Sequence, residues 1–140
     1  VCTYYLQYII MEELFMKSEI KTENAPSAIG PYSQAIEANG TVYVSGQIPI
    51  VPATGEFISN DIKEQTRQSL TNIGEILKAA GLDFSNVVKT TVLLSDIANF
   101  TAMNEVYGEF FPAPYPARAA FEAAALPKGA LVEIEVIAVR

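Results

Sequence analysis

The sequence predicts an α+β fold with a mixed β-sheet and two helices packed on one of its faces. Runs of β-branched and aromatic residues alternate with two helical patterns, in the order β-β-β-α-β-α-β-β. A helix between two strands acts as a crossover, and crossovers join parallel strands. With 140 residues, of which 50% are hydrophobic, the chain can bury the core of one domain.

The first half of the domain contains a predicted β-hairpin. Strands are expected over residues 34–38 and 41–48, since Asn39 and Gly40 between them favour a two-residue turn. Because side chains alternate along a strand, the second strand would present two sets of residues on opposite faces. These sets are Val42, Val44, Gly46 and Ile48 on one face, and Thr41, Tyr43, Ser45 and Gln47 on the other.

Two amphipathic helices are predicted after the hairpin. Asp61 is the N-cap of the first, with Glu64 three residues later as in a capping box, and Gly81 ends it. The second begins at Asp96 and ends at Pro112. Their apolar stripes are Ile62, Leu70, Ile73, Leu77 and Ala80 in the first helix, and Phe100, Met103, Tyr107 and Phe110 in the second.

Three further strands are predicted over residues 87–95, 118–123 and 131–139. Two helices can cover only one face of such a sheet, and the other face still carries apolar side chains. We therefore expect a second copy of the chain to cover that face. The apolar residues expected there include Tyr43, Val88 or Leu93, and Ile137, while Val132, Ile134, Val136 and Ala138 should face the helices.

Residues 1–16 are predicted to lie outside the core domain of residues 17–140. Their apolar run is too short to span a bilayer, which takes roughly 20 residues. A signal peptide would carry a basic residue ahead of its apolar run, whereas the first basic residue here is Lys17. We expect either a strand or helix that docks on a neighbour or an artefact of the gene model, since Met11 and Met16 are each plausible starts. We expect no membrane association and a cytoplasmic location, with an organellar one left open.

Composition limits the chemistry that the chain can perform. Histidine is absent and Cys2 is the only cysteine, which excludes a Ser-His-Asp triad, a Cys-His pair, a zinc site and a disulfide framework within one chain. Sixteen acidic residues against nine basic ones give a net charge of −7, which disfavours a nucleic-acid surface. Acid–base chemistry must therefore come from carboxylates, lysine, tyrosine, arginine-oriented water or the backbone.

Arg118 is the most informative single residue. It begins an otherwise neutral strand after a proline-rich connection, and a guanidinium in apolar surroundings suits two-point binding of a carboxylate. The alternative is an ion pair with a structural glutamate. Glu133 and Glu135 point to one face of a strand that could lie beside Arg118, where a partly buried carboxylate could orient or deprotonate water. Two solvated charges at a sheet edge are the alternative there.

Weaker features could line a small pocket. Tyr32 could cover such a pocket or simply anchor a loop. Ser45 and Gly46 offer a hydroxyl and an approachable backbone N–H near a strand end. Asn104 interrupts an apolar stripe and could donate to a ligand or cap a neighbouring loop. The residues alone support an acidic, oligomeric α+β domain with a candidate carboxylate-binding arginine.

Several segments of the chain resemble motifs of the RidA family, also called YjgF or endoribonuclease L-PSP. They follow the family's order between residues 20 and 139, so only the N-terminal extension lies outside the resemblance. The matching segments are 28–35 (AIGPYSQA), 44–49 (VSGQIP), 65–70 (QTRQSL), 88–92 (VKTTV), 104–107 (NEVY), 116–118 (PAR), 126–128 (LPK) and 133–135 (EIE).

The resemblance implies a chorismate-mutase-like fold and a homotrimer with three clefts between its subunits. It also implies hydrolysis of reactive enamines and imines, such as 2-aminoacrylate, to 2-keto acids and ammonium. By this resemblance Arg118 binds the substrate carboxylate and Glu133 positions the attacking water. An imine carbon is already electrophilic, so no metal or cofactor is expected. The residues that match further cleft positions are Tyr32, Ser45, Gly46 and Asn104.

One position departs from many bacterial members of the family. Ala120 stands where they have cysteine, so thiol-dependent behaviour is not transferred to this chain, and the surrounding residues look more like the animal form. Two other classes of function stay open. An endoribonuclease acting on single-stranded RNA follows from the older family name, although the charge of −7 and the lack of histidine argue against it. A non-catalytic trimer could instead bind small carboxylates through Arg118.

Overall fold

The computed structural model of the chain describes residues 2–140, the side chains at 12–15 excepted, and shows three α-helices and a six-stranded sheet there. From Ser18 onward the elements follow the predicted order, and the first strand, Ser18–Ile20, is the one for which no residue range was predicted. The helices are α1 (Cys2–Phe15), α2 (Ile62–Ala79) and α3 (Phe100–Phe110). The strands are β1 (Ser18–Ile20), β2 (Ala35–Ala38), β3 (Thr41–Gln47), β4 (Val87–Leu94), β5 (Ala117–Glu122) and β6 (Val132–Val139).

The sheet is mixed, which confirms the predicted α+β class. Its strand order is β1-β2-β3-β6-β4-β5, and every neighbouring pair is antiparallel except β4 and β5. The unit β4–α3–β5 is therefore a helical crossover between parallel strands. The C-terminal strand β6 inserts between β3 and β4, so the last segment of the chain lies inside the sheet.

Helices α2 and α3 pack together over one face of the sheet and enclose the core. The side chain of Asp61 caps α2 by accepting a hydrogen bond from the backbone N–H of Glu64 at 3.0 Å. Gly81 follows the end of the helix in the left-handed region, with φ of 74°. The residues of β6 that were predicted to face the helices are all buried, namely Val132, Ile134, Val136 and Ala138.

The second predicted helix begins later than expected. Asp96 caps a 3₁₀ turn over Ile97–Asn99, its side chain accepting the backbone N–H of Ala98 at 2.9 Å, and α3 begins only at Phe100. An aspartate satisfies the free N–H groups of a 3₁₀ turn as well as those of an α-helix, so the signal in the sequence is the same. The predicted stripe is confirmed: Met103 and Tyr107 are buried, while Phe100 and Phe110 pack partly buried against the core.

The predicted faces of β3 are wrong beyond Val44. The register between β3 and β6 shifts between Val44 and Gln47, so β3 carries a bulge at Ser45 and Gly46. The extra residue reverses the alternation. Gln47 is buried, whereas a Cβ on Gly46 would lie 2.7 Å from a carboxylate oxygen of Glu133. The bulge therefore brings Gly46 to the side of the sheet that faces away from the helices.

The face of the sheet opposite the helices displays apolar side chains. Tyr43 on β3 and Phe121 on β5 are 49% and 50% exposed, and Ile137 and Leu93 on the strands between them are half-buried. A second register shift, next to Val88, leaves that side chain 45% exposed. An apolar row across four neighbouring strands is typical of a surface that a partner covers.

Helix α1 projects its described side chains into solvent. Every residue from Cys2 to Met11 is exposed, and no helix within residues 2–140 is long and apolar enough to cross a membrane. Removal of residues 1–16 is therefore expected to leave the melting temperature and assembly state of the domain unchanged, because the side chains from Cys2 to Met11 are exposed. Thermal unfolding and sedimentation of a chain that begins at Lys17 test this expectation. A lower melting temperature or a smaller assembly would mean that α1 packs against a neighbour.

Candidate active site

Arg118 lies on the edge strand β5 and points toward helix α3. Its strand partner is Thr90 of β4, and partners in parallel strands present their side chains on one face, which here is the helix side. Nη1 of Arg118 donates to Oδ1 of Asn104 at 2.6 Å. The guanidinium carbon lies 4.7 Å from the ring centre of Tyr107 and 5.4 Å from that of Phe100. An exposed arginine is thus supported on two aromatic rings and one amide.

No carboxylate neutralises Arg118 in the described part of the chain. The ion pairs among those residues are Lys63–Glu105, Arg67–Glu109 and Arg140–Glu37. Among the described residues, therefore, Arg118 does not form the ion pair with a structural glutamate that was the alternative. A guanidinium held by a neutral amide and by aromatic faces keeps its charge available for the carboxylate of a ligand.

Glu133 projects from β6 to the face opposite the helices. Its chain neighbours Val132 and Ile134 are fully buried on the helix side, and Glu133 itself is half-buried opposite Leu93 of β4. Burial raises the pKa of Glu133 above that of an ordinary glutamate, and the negative charge of Glu135 raises it further. A carboxylate whose pKa is raised toward neutrality is a stronger proton acceptor, which is the property a general base requires.

A cavity of about 530 Å³ opens beside Glu133. Tyr32, Ser45 and Gly46 line it together with Glu133, so four of the predicted site residues meet at one place. The hydroxyl of Ser45 donates to the backbone carbonyl of Ser33 at 2.6 Å, which ties the bulge of β3 to the loop that carries Tyr32. The apolar part of the lining is formed by Pro26, Ile29, Ile48, Ile50 and Pro127.

Two residues of the cavity were missed by the sequence analysis. Gln34 is buried, and its side-chain N–H groups donate to the backbone carbonyls of Thr22, Ala25 and Pro26. Its side-chain oxygen accepts the backbone N–H of Thr22. These bonds hold the loop before Tyr32 in place. Lys128 also lines the cavity, with φ of 57°, in the left-handed region that few non-glycine residues adopt. The signal in the sequence for Lys128 was its place in the matching segment 126–128 (LPK).

Arg118 and Glu133 do not meet within one chain. Their strands were expected to be able to lie side by side, but β4 separates β5 from β6. Arg118 faces α3 together with Asn104, whereas Glu133 faces away from the helices toward the cavity. The structure thus divides the predicted site into two groups of residues on opposite faces of the sheet.

Gly46→Ala is expected to reduce turnover without unfolding the chain. The new Cβ would lie 2.7 Å from Oε1 and 3.0 Å from Cδ of Glu133, so the carboxylate must move. Because the clash involves the flexible end of one side chain, the melting temperature should change little, whereas a displaced catalytic group can lower kcat by about 100-fold. Gly108→Ala in α3 is the control, since a Cβ there meets nothing within 4 Å. Equal activity of the two variants would contradict the role of Glu133.

The acid side of the pH–rate profile is expected to report the ionisation of Glu133. Only the carboxylate form accepts a proton, and its pKa is raised, so kcat/KM should fall on acidification at a pH above the usual glutamate range. Glu135→Gln removes the charge that contributes to the shift and should move this fall to lower pH. The part of the pKa increase of Glu133 that comes from burial should remain in the variant. An identical profile for both proteins would contradict the assignment.

Comparison with known proteins identifies the family. The family model described as Endoribonuclease L-PSP matches residues 22–140. The chain is 58% identical over 121 residues to a Capra hircus protein named 2-iminobutanoate/2-iminopropanoate deaminase, covering 86% of this chain and 88% of that protein. It is 54% identical over 122 residues to the chloroplastic Reactive Intermediate Deaminase A of Arabidopsis thaliana, covering 87% of this chain but only 65% of that relative's length.

The fold agrees with that of solved relatives. The crystal structure of YyfA from Yersinia pestis, described as a member of the conserved Rid protein family, matches with a TM-score of 0.87 and 55% identity, covering 89% of this chain and 100% of that one. The domain therefore has the chorismate-mutase-like α+β fold that its motifs implied. The family model begins at residue 22, so α1 lies outside the match. The chain belongs to the Endoribonuclease L-PSP family, the RidA (YjgF) family whose motifs its sequence carries.

Proposed function

We propose that this chain hydrolyses reactive enamines and imines, such as 2-aminoacrylate and its larger homologues, to 2-keto acids and ammonium. The observation that carries the proposal is that the described residues include both an arginine free to bind a carboxylate and a glutamate suited to accept a proton. Arg118 has no ionic partner there, and Glu133 has a raised pKa beside a cavity. The name of the Capra hircus relative, 2-iminobutanoate/2-iminopropanoate deaminase, supports the same chemistry. The cytoplasm is the proposed location, with an organelle as the alternative because the Arabidopsis thaliana relative is named chloroplastic.

The active unit in this proposal is a homotrimer with one cleft between each pair of subunits. Two observations support the assembly. The sheet face opposite the helices displays Tyr43, Leu93, Phe121 and Ile137, which a neighbour would cover. Arg118 and Glu133 occupy opposite faces of one sheet, so a single substrate can reach both only when they come from different chains.

The reaction needs little more than positioning and proton transfer. Transfer of a proton from nitrogen to C3 converts 2-aminoacrylate to an imine, whose carboxylate binds the guanidinium of Arg118. Glu133 accepts a proton from a water molecule while the water oxygen attacks C2, and the C=N electron pair moves to nitrogen, which takes that proton. The hydroxyl proton of the resulting carbinolamine then passes to nitrogen as the C2–N bond breaks. Ammonia leaves, and a 2-keto acid remains. Holding the reactants in this geometry can remove several kcal/mol of the barrier.

The other predicted residues have supporting roles in this mechanism. Asn104 holds Arg118 through its amide oxygen at 2.6 Å. Gly46 leaves room for the carboxylate of Glu133, and Ser45 fixes the bulge that presents it. Tyr32 is 52% exposed at the mouth of the cavity, where it can cover a bound imine. Each of these residues therefore places a reacting group rather than taking part in bond formation.

A coupled dehydratase assay tests the activity. A serine/threonine dehydratase releases 2-aminoacrylate, and semicarbazide traps what has not yet been hydrolysed. The purified chain should suppress semicarbazone formation and accelerate the appearance of pyruvate, and the Arg118→Ala variant should do neither. If the full chain left semicarbazone formation unchanged but still bound 2-oxobutanoate, it would be a non-catalytic carboxylate binder instead.

Mixing two inactive variants tests the site between subunits. Arg118→Ala and Glu133→Gln chains, unfolded and refolded together, should recover activity that neither has alone. In a random equimolar assembly about a quarter of the clefts combine an intact Arg118 with an intact Glu133. Refolding each variant separately and mixing afterwards is the control. Mixed assemblies without recovered activity would contradict a cleft shared by two chains.

Ribonuclease activity is the rival function, because the matching family is described as Endoribonuclease L-PSP. The net charge of −7 and the absence of histidine disfavour phosphate binding and phosphodiester cleavage. Cleavage of single-stranded RNA by the purified chain, weakened by added salt and lost in Arg118→Ala, would favour the rival. We expect no such cleavage.

A further inference from the structure

A buried pair of hydroxyl groups lies directly under Arg118. Thr90 of β4 is fully buried and Tyr107 of α3 is 6% exposed, and their hydroxyl oxygens are 2.7 Å apart. They form a polar contact between helix and sheet, surrounded by the hydrophobic core. A valine and a phenylalanine would fill the same space, so packing alone does not require the two hydroxyls.

The pair is connected to Arg118 from two directions. Thr90 is the strand partner of Arg118 across the parallel β4–β5 ladder, and the ring of Tyr107 lies 4.7 Å beneath the guanidinium carbon. The hydroxyl bond therefore fixes the ring that supports the guanidinium to the strand that flanks it. Phe111 contacts the same ring at a centroid distance of 4.5 Å, and Asn104 binds the guanidinium one helical turn earlier on α3.

We propose that Thr90 and Tyr107 are positioning residues that set the plane of the Arg118 guanidinium for two-point capture of the substrate carboxylate. The inference rests on the proposed function. An exposed arginine samples many rotamers, and a planar fork grips both carboxylate oxygens only in one orientation. The Tyr107 ring, 4.7 Å from the guanidinium carbon, and the Asn104 amide together restrict the orientations that the fork can adopt. Thr90 acts on Arg118 through the ring.

The contacts imply a graded series of variants. Thr90→Val keeps the shape of the side chain but removes its hydroxyl, and Tyr107→Phe keeps the ring but frees it from Thr90. Tyr107→Leu removes the aromatic face altogether. If the two hydroxyls act as one unit, the double variant Thr90→Val/Tyr107→Phe should lose no more than either single variant.

The matched control is Thr66→Val in α2. Thr66 is also fully buried, and its hydroxyl donates to the carbonyl of Ile62 at 2.8 Å, away from both groups of site residues. Like Thr90→Val, the variant removes the hydroxyl of a fully buried threonine and the hydrogen bond that it makes, but this bond lies within one helix. Any effect common to both variants is therefore a general effect on stability.

The experiment measures KM and kcat for 2-aminoacrylate and the dissociation constant of 2-oxobutanoate, a carboxylate that the enzyme cannot turn over. Thr90→Val should weaken 2-oxobutanoate binding and raise KM by about three- to tenfold, which is the range of one hydrogen bond. Its kcat should stay within about twofold, because ground state and transition state lose the same contact. Tyr107→Leu should bind at least about tenfold more weakly, and Tyr107→Phe should lie between it and the parent chain.

Two results would overturn the inference while leaving the proposed function intact. In the first, the parent chain hydrolyses 2-aminoacrylate, but the Thr90→Val variant binds 2-oxobutanoate as tightly as the parent chain does. The other is equal loss of binding in Thr90→Val and Thr66→Val, which would make the pair a purely structural contact. Failure of the parent chain to hydrolyse 2-aminoacrylate overturns the proposed function. The positioning role then fails as well unless 2-oxobutanoate binding still depends on Arg118 and Thr90.

Discussion

Arg118→Ala is expected to abolish imine hydrolysis while the chain stays folded and assembled. The side chain is exposed and has no ionic partner in the described part of the chain, so its removal leaves no buried charge unpaired. Losing a charge-assisted contact in a partly desolvated cleft costs about 2–5 kcal/mol. At about 1.4 kcal/mol per tenfold, kcat/KM should fall about 30- to 5,000-fold. The coupled dehydratase assay measures this loss.

Two further variants make the result specific to Arg118. Arg118→Lys should restore little activity, because an ammonium is a single point of charge and cannot define the plane of a conjugated imino acid. Arg67→Ala is the matched control, since Arg67 is also exposed and lies 5.9 Å from the ring centre of Phe110. We expect parent activity from this control. An Arg118→Ala protein that assembles and hydrolyses 2-aminoacrylate at the parent rate would refute the mechanism.

Glu133→Gln is expected to separate turnover from binding. Glutamine keeps the shape of the side chain and can still hold a water, but it cannot take the proton of that water, and general base catalysis contributes about 100- to 10,000-fold. We therefore expect kcat to fall within that range while the dissociation constant of 2-oxobutanoate stays near the parent value. Single-turnover kinetics and calorimetry measure the two quantities.

The same substitution is expected to leave the fold at least as stable at neutral pH. The pKa of Glu133 is raised in the folded chain, so the folded state binds more protons than the unfolded state between the ordinary glutamate pKa and the raised value. Stability is lost as the pH rises through that window, and glutamine removes the loss. Thermal unfolding at acidic and neutral pH checks the sign, with Glu19→Gln as an exposed control. A lower melting temperature for Glu133→Gln at neutral pH would contradict the burial of a costly charge.

Local signals predicted the elements well. Asp61 and Gly81 bound α2 as expected, and the alternation in β6 placed both its buried residues and Glu133 on the correct faces. Apart from the late start of α3, the failures involve contacts between distant segments. A bulge at Ser45 and Gly46 depends on how β3 pairs with a strand almost a hundred residues later.

Sequence patterns could not predict that the site residues divide into two groups. The face of Arg118 follows from its register with Thr90, and its distance from Glu133 follows from the insertion of β6 beside β4. Neither strand pairing can be predicted from a periodic pattern in the sequence, because the packing of the whole sheet determines the strand order. The resemblance to a family suggested the site residues, but their placement follows only from the three-dimensional structure.

The separation of Arg118 from Glu133 by the thickness of a sheet has a kinetic consequence. In the proposed mechanism, a solitary chain can be fully folded and still be inactive, since it carries both groups and cannot bring them to one substrate molecule. Specific activity should therefore decline on dilution, as encounters between chains become rarer. After refolding, turnover should appear later than secondary structure, with a lag that shortens as protein concentration rises. Synthesis of more chains would then increase activity more steeply than in proportion to their number.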